Sequence, residues 1–498
     1  MQHTTSPARS IVVALMATLA ALVIGAMQSL TTVVAASIGL TAFEAIIVPG
    51  TGTPHPQDVE NYLENAVNYY VVPFGNCDLD APAGDCPTKT YGVNYYATFW
   101  PIPLPGWGGL EGQKWNVSVA DGVKNLNIDY DKTAGDVVIF GYSQGATVAT
   151  NFKRDHANDP QEDLDRTDYF FIGDPQRPSG GFFERLAFLG NVPILDAQFG
   201  DPAPTATCTD DSADGLRTCA TDFALQYDGV VDFPQWLLNP VALLNAAAGF
   251  QYVHGTYLAP DDGETDTTPY GYSPEEVQFY VNDVKEHGCN PTNFCQHVEG
   301  SDTNYITLPA RYLPLYQPFI DIGDATGTSA VIVPIVDLIS PATQTIIETG
   351  YNRTDYSKAQ PGTLLPPRTF NPIQTAVDLV KDIPEGIDMA VTPGRTPLPG
   401  SPPLPTTTST VSGATATNTV AAEDEATNLV SANHDRRTSL LINSRAGAGV
   451  DGSHTNRPLR NALKDFHPVR DAVKAVTSTV NKALGKDAKP AAGNGTDD

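Results

Sequence analysis

The chain has 498 residues, 41% of them hydrophobic and only 17% charged, and its 57 Asp/Glu against 29 Lys/Arg give a formal net charge of −28. This length and apolar content support one large core or two ordinary ones, and so low a charge density suits a secreted or cell-surface globular protein better than a cytosolic enzyme. So acidic a chain repels phosphate, which excludes nucleic acid as a partner unless basic residues are segregated. The segment from Val430 to the end, with 11 Lys/Arg against 7 Asp/Glu, is only mildly basic and reads as a solvated tail.

Residues 1–38 read as a signal peptide or an N-terminal membrane anchor. Arg9 precedes an uncharged, mostly apolar run from Ile11 to Ala26, which resumes from Thr31 to Ala36, with no acid before Glu44. Val34-Ala35-Ala36 resembles a small-residue cleavage site, yet Ile11 to Ile38 is long enough to span a bilayer at about 20 residues per crossing. Both readings imply export. If the segment is kept, Arg9 favours an N-terminus inside and the rest of the chain outside.

From Phe43 onward strand and helix patterns alternate. Phe43 to Val48 predicts a strand ending in PGTGTP, Val59 to Tyr70 and Val117 to Ile128 predict helices, and Val137 to Phe140 predicts a second strand. A helix over Ala146 to His156, a strand over Tyr169 to Ile172 and a strand over Asp222 to Tyr227 follow. Such alternation means an α/β fold, a mostly parallel sheet with helices on both faces, assigned to residues 42–366. Residues 367–498 read as linker and flexible tail. The Pro/Thr-rich character sets in from about Thr392, and Leu459 to Leu484 regains the spacing of a short amphipathic helix, broken near Pro468.

The six cysteines fall as three close pairs, Cys77 with Cys86, Cys208 with Cys219 and Cys289 with Cys295. Local pairing would close three short polar loops, and disulfides persist only in an oxidising compartment, in keeping with export. A metal site through Cys289, Cys295, His287 and His297 is the rival, but these spacings match no zinc finger or ribbon, and no metal is assigned.

Residues 136–147, DVVIFGYSQGAT, carry the most chemistry. A buried-strand pattern runs into G-x-S-x-G and a helix-compatible run follows, which is the context of a nucleophile elbow. Gly141 and Gly145 stand where a Cβ would collide with neighbouring chain, Ser143 is thrust out at the top of the sheet, and the Gln144 N–H is free to face a developing oxyanion. In such a fold the acid and the histidine follow the serine in chain order. His254 is favoured over His287 and His297 because it sits in GFQYVHGTY, just past a long apolar helix-like stretch. For the acid, the turn after the strand at 222–227 reads Asp228-Gly229-Val230-Val231-Asp232-Phe233-Pro234. A glycine three residues before Asp232 and a proline two after it put Asp232 first, with Asp228 the alternative. Asp174 and Asp196 come early for the expected strand order. The loop Gly50-Thr51-Gly52-Thr53-Pro54 offers Thr51 as second oxyanion donor, and no G-K-[ST] follows to make it a phosphate cradle.

Taken together, GTGTP, GYSQGA, IGDPQRPSGG at 172–181, YDGVVDFP at 227–234 and VHGTY at 253–257 resemble the PE-PPE domain of mycobacterial serine hydrolases. GYSQG is similar also to the elbow of cutinases, α/β-hydrolases which that domain resembles in fold and triad. The resemblance covers roughly Phe43 to Pro366. It implies a secreted or envelope-attached α/β-hydrolase acting on fatty acyl esters without a cofactor, with Ser143, Asp232 and His254 in the matching positions and Thr51 and Gln144 at the oxyanion hole. Where many relatives carry a PE or PPE helical module, the expected signal or membrane segment stands before the domain in this sequence. That arrangement is similar to relatives that act as acyltransferases building trehalose glycolipids.

Aromatic residues bear on the expected lipid or acyl-ester partner. Phe99, Trp100, Trp107 and Trp115 lie among prolines and glycines, and Trp236-Leu237-Leu238 follows the acid turn, where apolar side chains would suit an acyl chain or else pack a core. The readings to be weighed are therefore an exported esterase or lipase, an acyltransferase between envelope glycolipids, and a catalytically silent cell-surface binding protein on the same scaffold.

Overall fold

The computed structural model describes residues 43–75, 87–209, 215–258 and 270–403. The N-terminal segment 1–38, the Cys77–Cys86 pairing and the helix expected at 459–484 lie outside these residues.

A seven-stranded sheet organises the molecule. Its strands are β1 (Glu44–Val48), β2 (Lys89–Gly92), β3 (Val137–Tyr142), β4 (Thr167–Ile172), β5 (Ala220–Leu225), β6 (Cys295–Gln296) and β7 (Thr303–Leu308), in the spatial order β2-β1-β3-β4-β5-β7-β6. Every pairing is parallel except β6 with β7. Parallel neighbours need crossovers, and crossover helices bury both faces of the strands between them. That is why β3 reads VVIFGY with no polar alternation and is buried through its first five residues.

The period of two sorts the strand residues into two cores. Ala45, Ile47, Val138, Phe140, Phe170 and Ile172 face one layer, which includes Tyr62 and Ala66 of α1 (Tyr62–Ala66). Ile46, Val48, Val137, Ile139, Tyr169 and Phe171 face the other, against α2 (Trp115–Tyr130) and α3 (Gln144–Asp155). The sheet is thus an α/β-hydrolase sheet with helices on both faces. Trp115 belongs to this second core, stacked on Phe183 at 4.7 Å between ring centroids, so its bulk stabilises the fold and does not reach for an acyl chain.

Beyond β5 come α4 (Pro240–Tyr252), α5 (Pro274–His287), α6 (Gln317–Thr326), α7 (Ser329–Glu348) and α8 (Pro372–Val391). The N-cap Asn239 accepts bonds from the Val241 and Ala242 N–H groups, and Asn371 does the same for Ile373 and Gln374, each satisfying two orphan donors ahead of a Pro at N1. α7 and α8 pack so closely that a Cβ on Gly386 would lie 2.1 Å from the Leu338 carbonyl oxygen. The stretch expected as linker from 367 therefore begins with a folded helix. Order continues past it: Leu398 is buried with Tyr227, Ala242 and Ile347, and the Arg311 guanidinium donates to the carbonyls of Pro402 and Pro403. The α8 sequence hides this, because its buried positions are Asp382, Gly386 and Met389 while its branched apolar residues face outward.

Two of the expected disulfides are formed, Cys208–Cys219 and Cys289–Cys295, which takes the latter pair out of any metal site. His287 and His297 pair instead with Asp283 and Asn304, at 3.0 and 2.9 Å.

Candidate active site

β3 runs straight into the elbow. Ser143 adopts φ 54° and ψ −118°, a left-handed conformation that costs a residue with a Cβ roughly 1–3 kcal/mol and persists only where neighbours enforce it. The enforcement is steric. A Cβ on Gly141 would lie 2.7 Å from the Ala146 Cα, and one on Gly145 would lie 2.1 Å from the Val48 carbonyl oxygen, so the turn folds tightly against β1 only with glycine at both places. The Ser143 N–H donates to the Ile172 carbonyl at 3.0 Å, fixing the elbow to the end of β4.

Ser143 Oγ and His254 Nε2 are 2.8 Å apart, and His254 Nδ1 lies 2.9 Å and 3.1 Å from the two oxygens of Asp228. The acid is fully buried and the histidine nearly so. Asp228 is held by two further donors: the Tyr257 hydroxyl at 2.9 Å and the Val230 N–H at 2.8 Å. Burial, with the charge of Asp228 next, pushes the Tyr257 phenol well above its ordinary pKa, so it stays protonated and donating. The Tyr142 hydroxyl donates to the His254 carbonyl, and Phe250 stacks on the imidazole at 6.0 Å. These contacts fix the ring with one nitrogen on the serine and the other on the carboxylate.

Asp232, the acid favoured from the sequence, is elsewhere. Its oxygens meet Arg353 at 2.9 and 3.1 Å in a two-pronged pair, and the Tyr227 N–H donates to it at 2.8 Å. The reason is local. Tyr227 has φ 70°, so the chain turns as soon as β5 ends and points Asp228 toward the top of the sheet; the Asp232 N–H donates back to the Asp228 carbonyl, which closes the turn with Asp232 on its far side. Asp196 bonds Asn116 at 3.2 Å and is no part of this chain of bonds. Asp174 follows Gly173, where an added Cβ would lie 3.0 Å from the His254 ring, but is itself buried beside Asp222 and Arg177.

The expected oxyanion donors are positioned by the same packing. Gly50 lies against Ser143, where an added Cβ would be 3.2 Å from the serine Cβ, so the loop after β1 borders the nucleophile. The neighbouring N–H groups are used, Gly50 toward the Tyr62 hydroxyl at 3.2 Å and Gly52 toward the Ala97 carbonyl at 2.7 Å. Among the described residues no acceptor is paired with the Thr51 or Gln144 N–H. The Gln144 side chain is fully buried, accepting from Ser118 at 3.0 Å and donating to the Thr98 carbonyl at 3.0 Å, so only its backbone can face the site. The loop beyond Thr98 reaches the site through Trp107, which touches Phe250 edge-on at 6.1 Å and would meet a Cβ on Gly52 at 3.6 Å. Of the aromatic residues singled out in the sequence, Trp107 is the one at the mouth. Tyr257, Tyr142, Phe250 and Arg353 were not singled out; Tyr257 had a signal, its place three residues after His254 in VHGTY.

The arrangement can activate a hydroxyl and receive charge on an oxygen beside it. The PE-PPE domain matches residues 86–352, just over half of the chain. The chain belongs to the PE-PPE domain family. Among curated relatives, it is 30% identical to the esterase PE16 of Mycobacterium tuberculosis over 68% of this chain and 54% of that protein. It is 26% identical to the SL1278 acyltransferase Chp1 over 60% of this chain and 64% of that protein, and 24% identical to the diacyltrehalose acyltransferase Chp2 over 57% and 70%, both from the same organism. The chain spans about half the length of the esterase it matches.

Proposed function

We propose that this PE-PPE protein is an exported serine esterase that cleaves fatty acyl esters through Ser143, His254 and Asp228. The observation that carries the reading is the unbroken run of hydrogen bonds from the Ser143 hydroxyl through both nitrogens of His254 to Asp228. His254 Nε2 takes the serine proton as Oγ attacks the ester carbonyl, and Asp228 holds the tautomer and stabilises the imidazolium that forms. The oxyanion is received by the Thr51 and Gln144 N–H groups, the second at the positive end of α3. The imidazolium then gives its proton to the departing alcohol, leaving an acyl group on Ser143, and His254 activates water to release the acid. Every step uses side chains and backbone alone.

A second reading, transfer of the acyl group to a sugar hydroxyl of an envelope glycolipid, is supported by the acyltransferase relatives. The same histidine serves water and alcohol equally, so the triad does not choose between them. Hydrolysis is preferred because it needs no second lipid site. Export is supported by the apolar N-terminal run and by two disulfides, whether or not that run stays as an anchor.

The test is labelling by a fluorophosphonate probe together with turnover of p-nitrophenyl esters. Wild type should label and turn over; Ser143→Ala should do neither, with a rate loss of several orders of magnitude. Activity near wild type in Ser143→Ala, or an unlabelled wild type, overturns the reading in favour of a silent scaffold. Products from an acylated trehalose lipid, resolved by mass spectrometry, separate the two enzymatic readings: diacylated lipid forming faster than free fatty acid makes the protein a transferase.

A further inference from the structure

α7 and α8 pack on each other and bury Asp337, Ser340, Asp382 and Gly386 together with Val336, Ile347 and Met389, while most of their branched apolar side chains are left outside. On α8, Ile373, Val377, Val380, Ile387 and Val391 fall within roughly 80° of one another at 3.6 residues per turn, and each is exposed, from 45% for Val377 to 76% for Ile373. On α7, Val331, Ile335, Leu338 and Ile346 are exposed as well, and α7 is long and apolar enough by length and composition to cross a membrane. Water-soluble monomers rarely leave a contiguous apolar patch of more than a few hundred Å² open, and here two 20-residue helices each carry an exposed apolar stripe.

The pair is tied to α4, the helix that reaches the catalytic site. The Asn239 side chain at the start of α4 donates to the Ile346 carbonyl and the Thr349 hydroxyl of the α7 end, both at 3.0 Å. The outward side of α4 adds Leu244, and Leu238 stands exposed just before it. Further along, α4 carries Phe250 onto the ring of His254. We propose that the α7–α8 pair is a lipid-docking face, which seats the enzyme on a neutral lipid surface so that long-chain acyl esters are drawn directly from it. This rests on the esterase reading above for the identity of the substrate, though not for the docking itself.

A lipid surface fits better than a second copy. Asp388 borders the α8 stripe and the chain as a whole carries −28, so two such faces brought together would repel. The same charge disfavours anionic lipid, leaving burial of branched side chains in uncharged lipid as the driving force.

The experiment uses the full chain with Val380→Cys or Ile387→Cys carrying an environment-sensitive fluorophore, and Lys124→Cys on α2 as control. With phosphatidylcholine vesicles, emission at 380 and 387 should shift to the blue and emission at 124 should not; the N-terminal apolar run alone would leave all three unmoved. The variant Val380→Asp/Ile387→Asp should turn over a long-chain ester in vesicles at a rate reduced roughly tenfold or more, with a soluble butyrate ester turned over as before. No shift with vesicles overturns the proposal. So does a shift without vesicles: one that grows with protein concentration makes the face a self-association surface, and one present at every concentration makes it the seat of the 404–498 tail. If wild type lacks activity on both esters while the blue shift persists, the esterase reading fails and the docking face stands.

Discussion

Arg353 grips Asp232 with two nitrogens, at 2.9 and 3.1 Å, and this grip leaves Asp228 as the carboxylate facing His254. The two acids are four residues apart in one turn and have separate tasks. Asp228→Asn should lower kcat by roughly 10⁴ through the wrong imidazole tautomer while the thermal midpoint holds near wild type. Asp232→Asn should keep kcat within an order of magnitude and destabilise the fold by about 1–3 kcal/mol, since Arg353 loses its charged partner but keeps Glu348 and some water. Kinetics paired with thermal melts on the two variants checks this, and the opposite pattern would restore Asp232 as the catalytic acid.

Gly145 cannot accept a side chain. The Val48 carbonyl oxygen occupies the space a Cβ would need, and that oxygen belongs to β1, a buried strand held between β2 and β3. Gly145→Ala should either abolish soluble expression or displace α3 enough to lose probe labelling of Ser143. A folded, fully labelled variant would show that the elbow has more room than its packing allows.

Stability should fall as the pH rises from about 4 to about 8. Burial, compounded by the neighbouring Asp222, pushes Asp174 up to about 8, and burial pushes Asp222 up to about 6. Over that window the unfolded chain has released these protons and the folded chain retains them, so the folded state binds more protons and unfolding is favoured by raising the pH. Asp174→Asn, which keeps an oxygen for the Gln176 N–H bonded at 2.9 Å, should flatten this slope in melts taken between pH 5 and pH 8. A slope equal to wild type would rule Asp174 out as its source.

The Cys208–Cys219 and Cys289–Cys295 bridges close loops of 11 and 6 residues. Peptide mapping without reductant should recover both as linked pairs, and loss of either should cost about 2–3 kcal/mol by loop-closure entropy. Alkylation of free thiols at any of these four positions in exported protein would contradict the pairing.

Local chemistry made the elbow, the alternating helices and strands and the His254 position legible in the sequence, because a glycine-flanked serine and a buried parallel strand each leave a short-range pattern. The choice between Asp228 and Asp232 was not legible. It depends on the left-handed turn at Tyr227 and on Arg353, more than a hundred residues away, and neither leaves a mark in YDGVVDFP. The edge strand β2 and the inner strand β7 escape the sequence for a similar reason, since KTYG and TNYITL are short or mixed in polarity and gain their strand character from neighbours. α8 was read as linker because Pro384 and the outward apolar stripe obscure the usual helical pattern of an inward-facing core.

The strand order bears on when the triad proposed above becomes complete. From β1 the sheet extends through β3, β4, β5 and β7 in the order in which the ribosome delivers them, each new strand joining the outer rail of those already laid. Ser143 arrives on the second of these, whereas Asp228 and His254 come only after β5, and the clamp from Arg353 comes later still. A chain halted before residue 254 carries a shaped nucleophile without the base that arms it. On the esterase reading proposed above, hydrolysis is thus withheld from the nascent polypeptide and acquired near completion of the fold.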